Sequence, residues 1–240
     1  MKVEGKNAVV ELFRSNTQIE RIMIERNSQN SLNEIISLAQ KKRVRLQYLP
    51  KEVMDRESSV KNNQGVIAVV NGYQYASIDD ILEVAKKRNQ SPFILLCDGV
   101  ADPHNLGSII RTCECAGVHG IIIPKNRACQ VNDTVVKVST GACFNMKIAC
   151  VTNLNDAIRK LKELGIWVFG LEANGAEIYK TDLTMPTALV VGSEGFGMSN
   201  LAKKLCDGIL SLPMYGKVNS LNASVASAIA IYEVVRQRQN

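Results

Sequence analysis

Apolar and polar positions group along the chain into segments of strand and helix length. Before residue 75, short apolar runs at 19–24, 44–49 and 66–70 predict strands, and apolar positions three or four residues apart predict helices over 7–14 and 33–42. The pattern is typical of a compact α/β module of about seventy residues.

After residue 91 the chain alternates more regularly between strand-like and helix-like segments. Helical spacing is clear over 106–113 and 154–161. Such alternation predicts a mostly parallel sheet with helices on its faces. The predicted strands are 93–97, 120–123, 147–151, 166–171, 187–192 and 208–212.

The stretch between these regions has a different character. Over 76–90, an apolar stripe at helical spacing is followed by Lys86-Lys87-Arg88 and a polar stop before Pro92. We therefore predict a first domain over 1–75, a short helical linker over 76–90 and a second domain over 91–240.

The composition, 46% hydrophobic and 22% charged, is that of a globular protein and excludes disordered and collagen-like classes. No apolar run approaches the roughly 18 residues of a membrane span, and the first residues lack the apolar segment of a secretory signal. We expect a cytoplasmic protein without a membrane partner. Seven scattered cysteines and two histidines give few ligands for a metal, so no metal site is predicted.

The net charge is +6, from 29 basic and 23 acidic residues. Its sharpest concentration is the run Lys41, Lys42, Arg43 and Arg45. A solvated helix end is the commonest explanation of such a run, and a phosphate-binding patch is the alternative.

Ligands of open parallel sheets bind beyond the carboxyl ends of the strands, so the loops there are the candidate sites. Helix capping is the ordinary explanation for an asparagine at a helix start, as at Asn105 and Asn222. Arg111, between apolar neighbours, predicts a half-buried guanidinium that requires a carboxylate or a phosphate. The loops and the helix after the first loop bring polar residues to this edge: Asn105, Arg111, Glu194, Ser220 and Asn222.

The glycine-rich loop 192–197 raises the alternative of a nucleotide-binding hydrolase. Met198 stands where a phosphate-binding loop requires lysine, and no G-x-G-x-x-G follows the first strand of this region. The missing lysine argues against the hydrolase. The missing G-x-G-x-x-G argues against a dinucleotide site and against the glycine motif of ordinary Rossmann-type methyltransferases. The last helix has a stripe of small residues beside a larger apolar stripe, which indicates packing on two sides, against its own sheet and against a second subunit or the remaining core.

Taken together, the three loops resemble a known family. DPHNLGSIIRT, VVGSEGFGMS and LPMYGKVNSLNASVASAIAIYE are similar to motifs 1, 2 and 3 of the SpoU (TrmH-type) RNA ribose 2′-O-methyltransferases of the SPOUT superfamily. The segments VEGKNAVVELF and NQGVIAVV resemble the small RNA-binding domain that precedes the catalytic domain in this family. The two-domain layout is most similar to the bacterial enzymes that methylate a guanosine ribose in 23S rRNA.

The resemblance implies a fold and a set of partners. Periodicity alone predicts an unknotted sheet, whereas SPOUT domains carry a deep trefoil knot that forms the pocket for S-adenosylmethionine, and they act as homodimers. At the positions that match the family's motifs, the residues expected to contact the cofactor are Gly192, Leu212 and Leu221. The implied catalytic residues are Asn105, Arg111, Glu194, Ser220 and Asn222.

The implied reaction needs a ribose 2′-hydroxyl, so the substrate is RNA and not DNA. A guanidinium is effectively always protonated, which favours Arg111 as a stabiliser of the emerging alkoxide or of a phosphate over Arg111 as a base. Glu194 and Asn105 would orient it, and the basic run 41–45 would dock the RNA. One alternative is a tRNA substrate. The other is an RNA-binding assembly factor without catalysis, and the intact residues Arg111, Glu194 and Asn222 argue against it.

Overall fold

The computed structural model describes residues 1–15, 17–58 and 63–239. By their contacts these residues form two units. The first unit comprises Met1–Gln74 and Val131–Asn145, and the second comprises Tyr75–Gln130 and Met146–Asn240.

The described residues contain ten strands and nine α-helices. The strands are β1 (Lys2–Glu4), β2 (Ile19–Glu25), β3 (Arg45–Leu49), β4 (Val66–Val70), β5 (Phe93–Asp98), β6 (Gly120–Pro124), β7 (Lys147–Val151), β8 (Trp167–Glu177), β9 (Thr187–Gly192) and β10 (Gly208–Ser211). The helices are α1 (Lys6–Arg14), α2 (Asn33–Lys41), α3 (Lys51–Glu57), α4 (Ile78–Lys87), α5 (Pro103–Cys115), α6 (Asp133–Val138), α7 (Leu154–Glu163), α8 (Asn200–Leu205) and α9 (Ala223–Gln239).

The first unit is a four-stranded mixed sheet in the order β1-β4-β2-β3. Strands β2 and β3 are parallel, and β4 runs antiparallel to β1 and β2. Its core contains fully buried residues from a helix and from the sheet. Val9 and Leu12 come from α1, and Ile22 and Ile67 come from β2 and β4. This agrees with the predicted α/β module.

The second unit is a six-stranded sheet in the order β10-β8-β9-β5-β6-β7, and all of its pairs are parallel. The central strands β5 and β9 are buried along almost their whole length. A parallel sheet with helices between its strands confirms the predicted fold class. The trefoil knot stays a prediction.

The predicted linker 76–90 is part of the second unit. Its residues form α4, which begins with a capping box between Ser77 and Asp80 and buries Ile81 and Ala85. A Cβ on Gly120 would lie 2.5 Å from the Ile81 side chain, so α4 packs directly on the start of β6. The stripe that sequence analysis assigned to a connector is therefore a core-facing helix surface.

The segment Val131–Asn145 belongs to the first unit, although the predicted boundary placed it in the second domain. The backbone N–H of Lys2 donates to Asp133 Oδ1 (3.1 Å), and the Tyr73 hydroxyl donates to the Cys143 carbonyl (2.8 Å). Gly141 lies so close to Ala8 that a Cβ there would be 2.9 Å from the Ala8 Cα. These contacts join residues seventy or more positions apart, which local patterning does not reveal.

No helix among the residues that the structure describes combines the length and the apolar character of a membrane span.

His119, just before β6, is a buried histidine held in its neutral form. The Phe93 backbone N–H donates to Nδ1 (2.9 Å), so Nε2 carries the proton and donates to Gln90 Oε1 (3.0 Å). Burial, with the nearby positive charges of Arg88 and Arg238, lowers the pKa of His119 to about 4.

We predict that His119 makes the protein less stable in acid. Its pKa in the unfolded chain is near the ordinary value of about 6.5, so the unfolded state binds a proton first as the pH falls. The free energy of unfolding should fall by about 3 kcal/mol as the pH drops from roughly 6.5 to roughly 4. Denaturant unfolding of the wild type and His119→Gln across this range measures the effect, because glutamine can accept the Phe93 N–H bond without gaining a charge. Equal pH dependence in the two proteins would contradict the assignment.

Candidate functional site

Asn105 lies in the first turn of α5, behind the loop that follows β5. Asp102 caps this helix, accepting from the His104 backbone N–H (3.1 Å), and Pro103 occupies the first helical position. The capping explanation for Asn105 is therefore wrong. Its side chain is only 7% exposed and is directed to another part of the site.

The glycine loop after β9 is a tight turn. Ser193 and Gly197 exchange backbone hydrogen bonds of 3.1 and 2.9 Å, which places Glu194 at the turn. Gly192 packs under it: a Cβ there would lie 2.2 Å from the Gly197 carbonyl carbon and 2.3 Å from the Met198 nitrogen. Only glycine allows the turn to fold back on the end of its own strand.

Glu172 fixes the far end of the same turn. Its Oε1 accepts from the Met198 backbone N–H (2.8 Å) and pairs with Lys203 Nζ (2.9 Å). It lies in a bulge of β8, where the pairing with β10 skips from Gly170 to Ala176. Sequence analysis missed Glu172, although it is the first residue after the predicted strand 166–171, where the strand-end rule directs attention.

Asn222 joins the polar residues of the three loops. Its Nδ2 donates to Asn105 Oδ1 (3.0 Å) and to Glu194 Oε1. Its Oδ1 accepts from the Ser224 backbone N–H (2.9 Å) at the start of α9. The predicted cap is thus present, and the same amide brings together three of the five residues predicted to be catalytic.

A cavity of about 300 Å³ opens beside this cluster. Its walls include all three residues predicted to contact the cofactor, Gly192, Leu212 and Leu221, together with Ser220. Leu171, Val191 and Leu210 add apolar surface, and Glu172 and Glu194 add carboxylates. The structure therefore brings the second and third loops and the β8 bulge around one space.

Arg111 does not join the cluster within one chain. It is exposed rather than half-buried, and its guanidinium makes no hydrogen bond or ion pair with any residue that the structure describes. At about 100° per residue, Arg111 lies roughly 120° around α5 from Asn105. The apolar neighbours Ile109 and Ile110 occupy the buried face, which explains why sequence proximity to them predicted burial wrongly.

The four residues of the basic run 41–45 are all exposed. Lys42 also has a structural contact, because its ammonium donates to the Phe13 carbonyl in the last turn of α1. Arg43 follows the end of α2 with a left-handed backbone (φ 55°), a position that favours glycine. Arg45 begins β3 opposite Arg21 of β2, whose guanidinium is paired with Glu20.

Met198 lies where a phosphate-binding loop would carry lysine, and the structure gives it a packing role. It is 3% exposed, and a Cβ on Gly170 would be 2.7 Å from its sulfur. Within the described part of the chain, no group of three or more His, Cys, Asp or Glu side chains is placed to hold a metal ion.

Comparison with protein families decides the class of this site. Residues 92–232, more than half of the chain, match the model of the SpoU rRNA Methylase family. The chain belongs to the SpoU rRNA methylase family. Residues 2–76 match the model described as RNA 2′-O ribose methyltransferase substrate binding. The predicted family is confirmed, and with it the predicted enzyme class, an RNA methyltransferase.

Individual SpoU relatives are similar over nearly the whole chain. YacO of Bacillus subtilis (strain 168), which is named for the TrmH family of tRNA/rRNA methyltransferases, is 45% identical over 238 residues, or 98% of this chain and 95% of YacO. A Staphylococcus aureus (strain MSSA476) protein named for the same family is 41% identical over 240 residues, covering 99% and 96% of the two chains.

The fold of this SpoU chain also matches solved structures. The SpoU methyltransferase AviRb from Streptomyces viridochromogenes, in complex with AdoMet, superimposes with a TM-score of 0.85 and 27% identity over 100% of this chain and 90% of AviRb. The AdoMet-bound rRNA methyltransferase of Sinorhizobium meliloti has a TM-score of 0.83 at 22% identity over 98% and 86%, which shows the fold alone.

We predict that the two glycines of the turn differ sharply in tolerance. Gly192→Ala forces a Cβ into backbone atoms, which should destabilise the protein by about 3 kcal/mol or more and disrupt the cavity. Gly195→Ala is the matched control, since nothing lies within 4 Å of a Cβ there. Thermal unfolding, with calorimetric titration of S-adenosylmethionine, measures both effects. Similar behaviour of the two variants would contradict the close packing of the turn on β9.

Proposed function

We propose that this SpoU protein transfers a methyl group from S-adenosylmethionine to a ribose 2′-hydroxyl of RNA, with a guanosine of 23S rRNA as the substrate. The observation that carries the proposal is the Asn105–Asn222–Glu194 cluster, whose Glu194 lines the 300 Å³ cavity. The matched substrate-binding module and the AdoMet complex of AviRb support it. The names of the curated relatives cover both tRNA and rRNA, so tRNA is the competing substrate.

The cavity has the chemistry that S-adenosylmethionine requires. Leu212 and Leu221 offer apolar surface for the adenine ring, and the backbone at Gly192 lines the cavity with polar groups. Glu172 is already paired with Lys203, so Glu194 is the carboxylate that would face the positive charge of the sulfonium. When bound, the cofactor supplies an electrophilic methyl group on a sulfonium.

The residues around the cavity would hold the acceptor oxygen in line with that methyl group, which is mainly a positioning task. Both hydrogens of the Asn222 amide are used by Asn105 and Glu194, so Asn222 acts by fixing the Glu194 carboxylate. Glu194 Oε2 makes no hydrogen bond with the described residues and can accept one from the 2′-hydroxyl. The Ser220 hydroxyl, at the cavity wall, would position the ribose.

Arg111 would complete the site in a homodimer. It is exposed on α5, which packs against α9, and α9 itself exposes a row of large apolar side chains, Val225, Ile229 and Tyr232. An exposed apolar row of this kind, on a helix packed against the one that carries an unpaired guanidinium, fits a surface that a second copy covers. Arg111 would then stabilise the alkoxide or the neighbouring phosphate at the partner's site.

The first unit would dock the RNA through its exposed basic run. Lys41, Arg43 and Arg45 have free cationic groups among the described residues, whereas Lys42 is partly engaged by the Phe13 carbonyl. Phosphate contacts of this type supply affinity without reading sequence.

We predict methyl transfer that depends on the Asn222 amide. Asn222→Asp keeps an oxygen to cap α9 but loses the donor that holds Glu194, so kcat should fall by about a hundredfold or more while the fold is retained. The measurement is transfer of labelled methyl from S-adenosylmethionine to unmodified 23S rRNA and to unmodified tRNA, with Arg111→Ala alongside.

Label on a ribose of 23S rRNA, lost in the variants, is the expected result. Label on tRNA alone would overturn the rRNA assignment and keep the chemistry. Cofactor binding without transfer to either RNA would favour the non-catalytic RNA-binding factor. Unchanged turnover in Asn222→Asp would remove Asn222 from the site.

We also predict that Arg111 acts across the dimer. Arg111→Ala and Glu194→Gln chains should each be inactive alone, and mixed chains that exchange should regain about a quarter of wild-type activity, because half of the dimers then carry one intact site. Sedimentation of each sample checks the oligomeric state. Activity that stays at background in the mixture would place Arg111 and Glu194 in the same chain's site.

A further inference from the structure

The glycine turn that carries Glu194 also presents an aromatic ring to solvent. Phe196 is 94% exposed, whereas Glu194, Gly195 and Gly197 on either side of it line the cavity. A single exposed apolar side chain is not unusual. Phe196 differs in its position, because backbone hydrogen bonds join both ends of its turn and the turn borders the cavity.

A neighbouring loop presents an unpartnered arginine. Arg127 follows β6, is exposed, and makes no hydrogen bond or ion pair with any residue in the described ranges. Its backbone is left-handed (φ 59°), a conformation that a non-glycine residue keeps only where its surroundings impose it.

Both loops lie against the loop that follows β5, at the carboxyl edge of the sheet. A Cβ on Gly99 would be 3.8 Å from the Ser193 Cβ and 3.9 Å from the Arg127 carbonyl oxygen, so Gly99 lies between the loops. The Cys129 backbone N–H donates to the Val100 carbonyl (2.8 Å) and ties the Arg127 loop to the loop after β5. Phe196 and Arg127 therefore emerge from adjacent, anchored loops beside the cavity.

Single-stranded RNA offers two groups that match this pair. An unstacked base stacks on aromatic side chains, and a backbone phosphate pairs with a guanidinium. We propose that Phe196 stacks on the base of the acceptor nucleotide while Arg127 binds the phosphate next to it, so that the ribose between them faces Glu194. This inference rests on the proposed function and adds the residues that hold the nucleotide at the site.

The test uses variants that separate the effect of the Phe196 ring, the effect of the Arg127 charge and the effect of the left-handed backbone at Arg127. Phe196→Leu keeps an apolar side chain and loses the ring, and Phe196→Tyr keeps the ring. Arg127→Asn removes the charge and tolerates the left-handed backbone. Arg159→Asn, an exposed arginine on α7, is the charge-matched control.

Each full-length protein is titrated with unmodified 23S rRNA and unmodified tRNA at several salt concentrations, and kcat and KM are measured. Phe196→Leu should raise KM and the RNA Kd about tenfold with kcat nearly unchanged, and Phe196→Tyr should restore both. Arg127→Asn should make the plot of the logarithm of the RNA association constant against the logarithm of salt concentration less steep, by about one unit of slope. Thermal stability should be unchanged or higher. Arg159→Asn should behave as the wild type.

Wild-type RNA affinity in Phe196→Leu, or an unchanged salt slope in Arg127→Asn, would overturn the proposal. A change of oligomeric state in Phe196→Leu would assign the ring to a second copy of the chain instead. If the wild type binds RNA but transfers no methyl group, the proposed function fails while the Kd values and salt slopes still decide this inference. If the wild type binds neither RNA, both fail together.

Discussion

The side-chain amide of Asn222 is the interaction on which the site depends. Its oxygen accepts hydrogen bonds from the Ser224 and Val225 N–H groups in the first turn of α9. These bonds fix the rotation of the amide and turn its NH₂ group toward Asn105 and Glu194. Helix capping and assembly of the polar cluster are therefore one constraint. A residue able to do both must have an acceptor and two donors on a short side chain, which only asparagine supplies among the residues favoured at a helix start.

The second constraint is how closely backbone segments approach one another around the cavity. The turn after β9 folds onto Gly192 without room for a Cβ, and Glu172 in the β8 bulge holds its far end through the Met198 N–H. Rigid support of this kind keeps a polar group at a fixed distance from a ligand. The site thus owes its precision to main-chain packing as much as to the polar side chains at its edge.

Two basic residues at the surfaces proposed for RNA, Arg43 and Arg127, have left-handed backbones where glycine would be less strained. Their positions combine an unfavourable local conformation with an exposed charge. Sequence analysis selected Arg43 because it lies in a visible basic run, but it missed Arg127, which has only Lys125 as a nearby basic residue. A left-handed conformation at a non-glycine residue can be seen only in the folded chain.

The sequence by itself determined the α/β class, the parallel sheet and the three loops, because strand and helix periodicity are local and because the motif residues lie together in each loop. Tertiary structure alone decided that Asp102 rather than Asn105 caps α5, that Arg111 faces away from the cluster, that 76–90 is a packed helix and that Val131–Asn145 joins the first unit. The Asp102 cap is a local contact, but Asn105 is bound instead by Asn222, 117 residues away. The other three depend on contacts between residues far apart in the chain or on which helix face is covered. The sequence pattern identifies which residues are apolar, but only the packed structure shows which residues cover them.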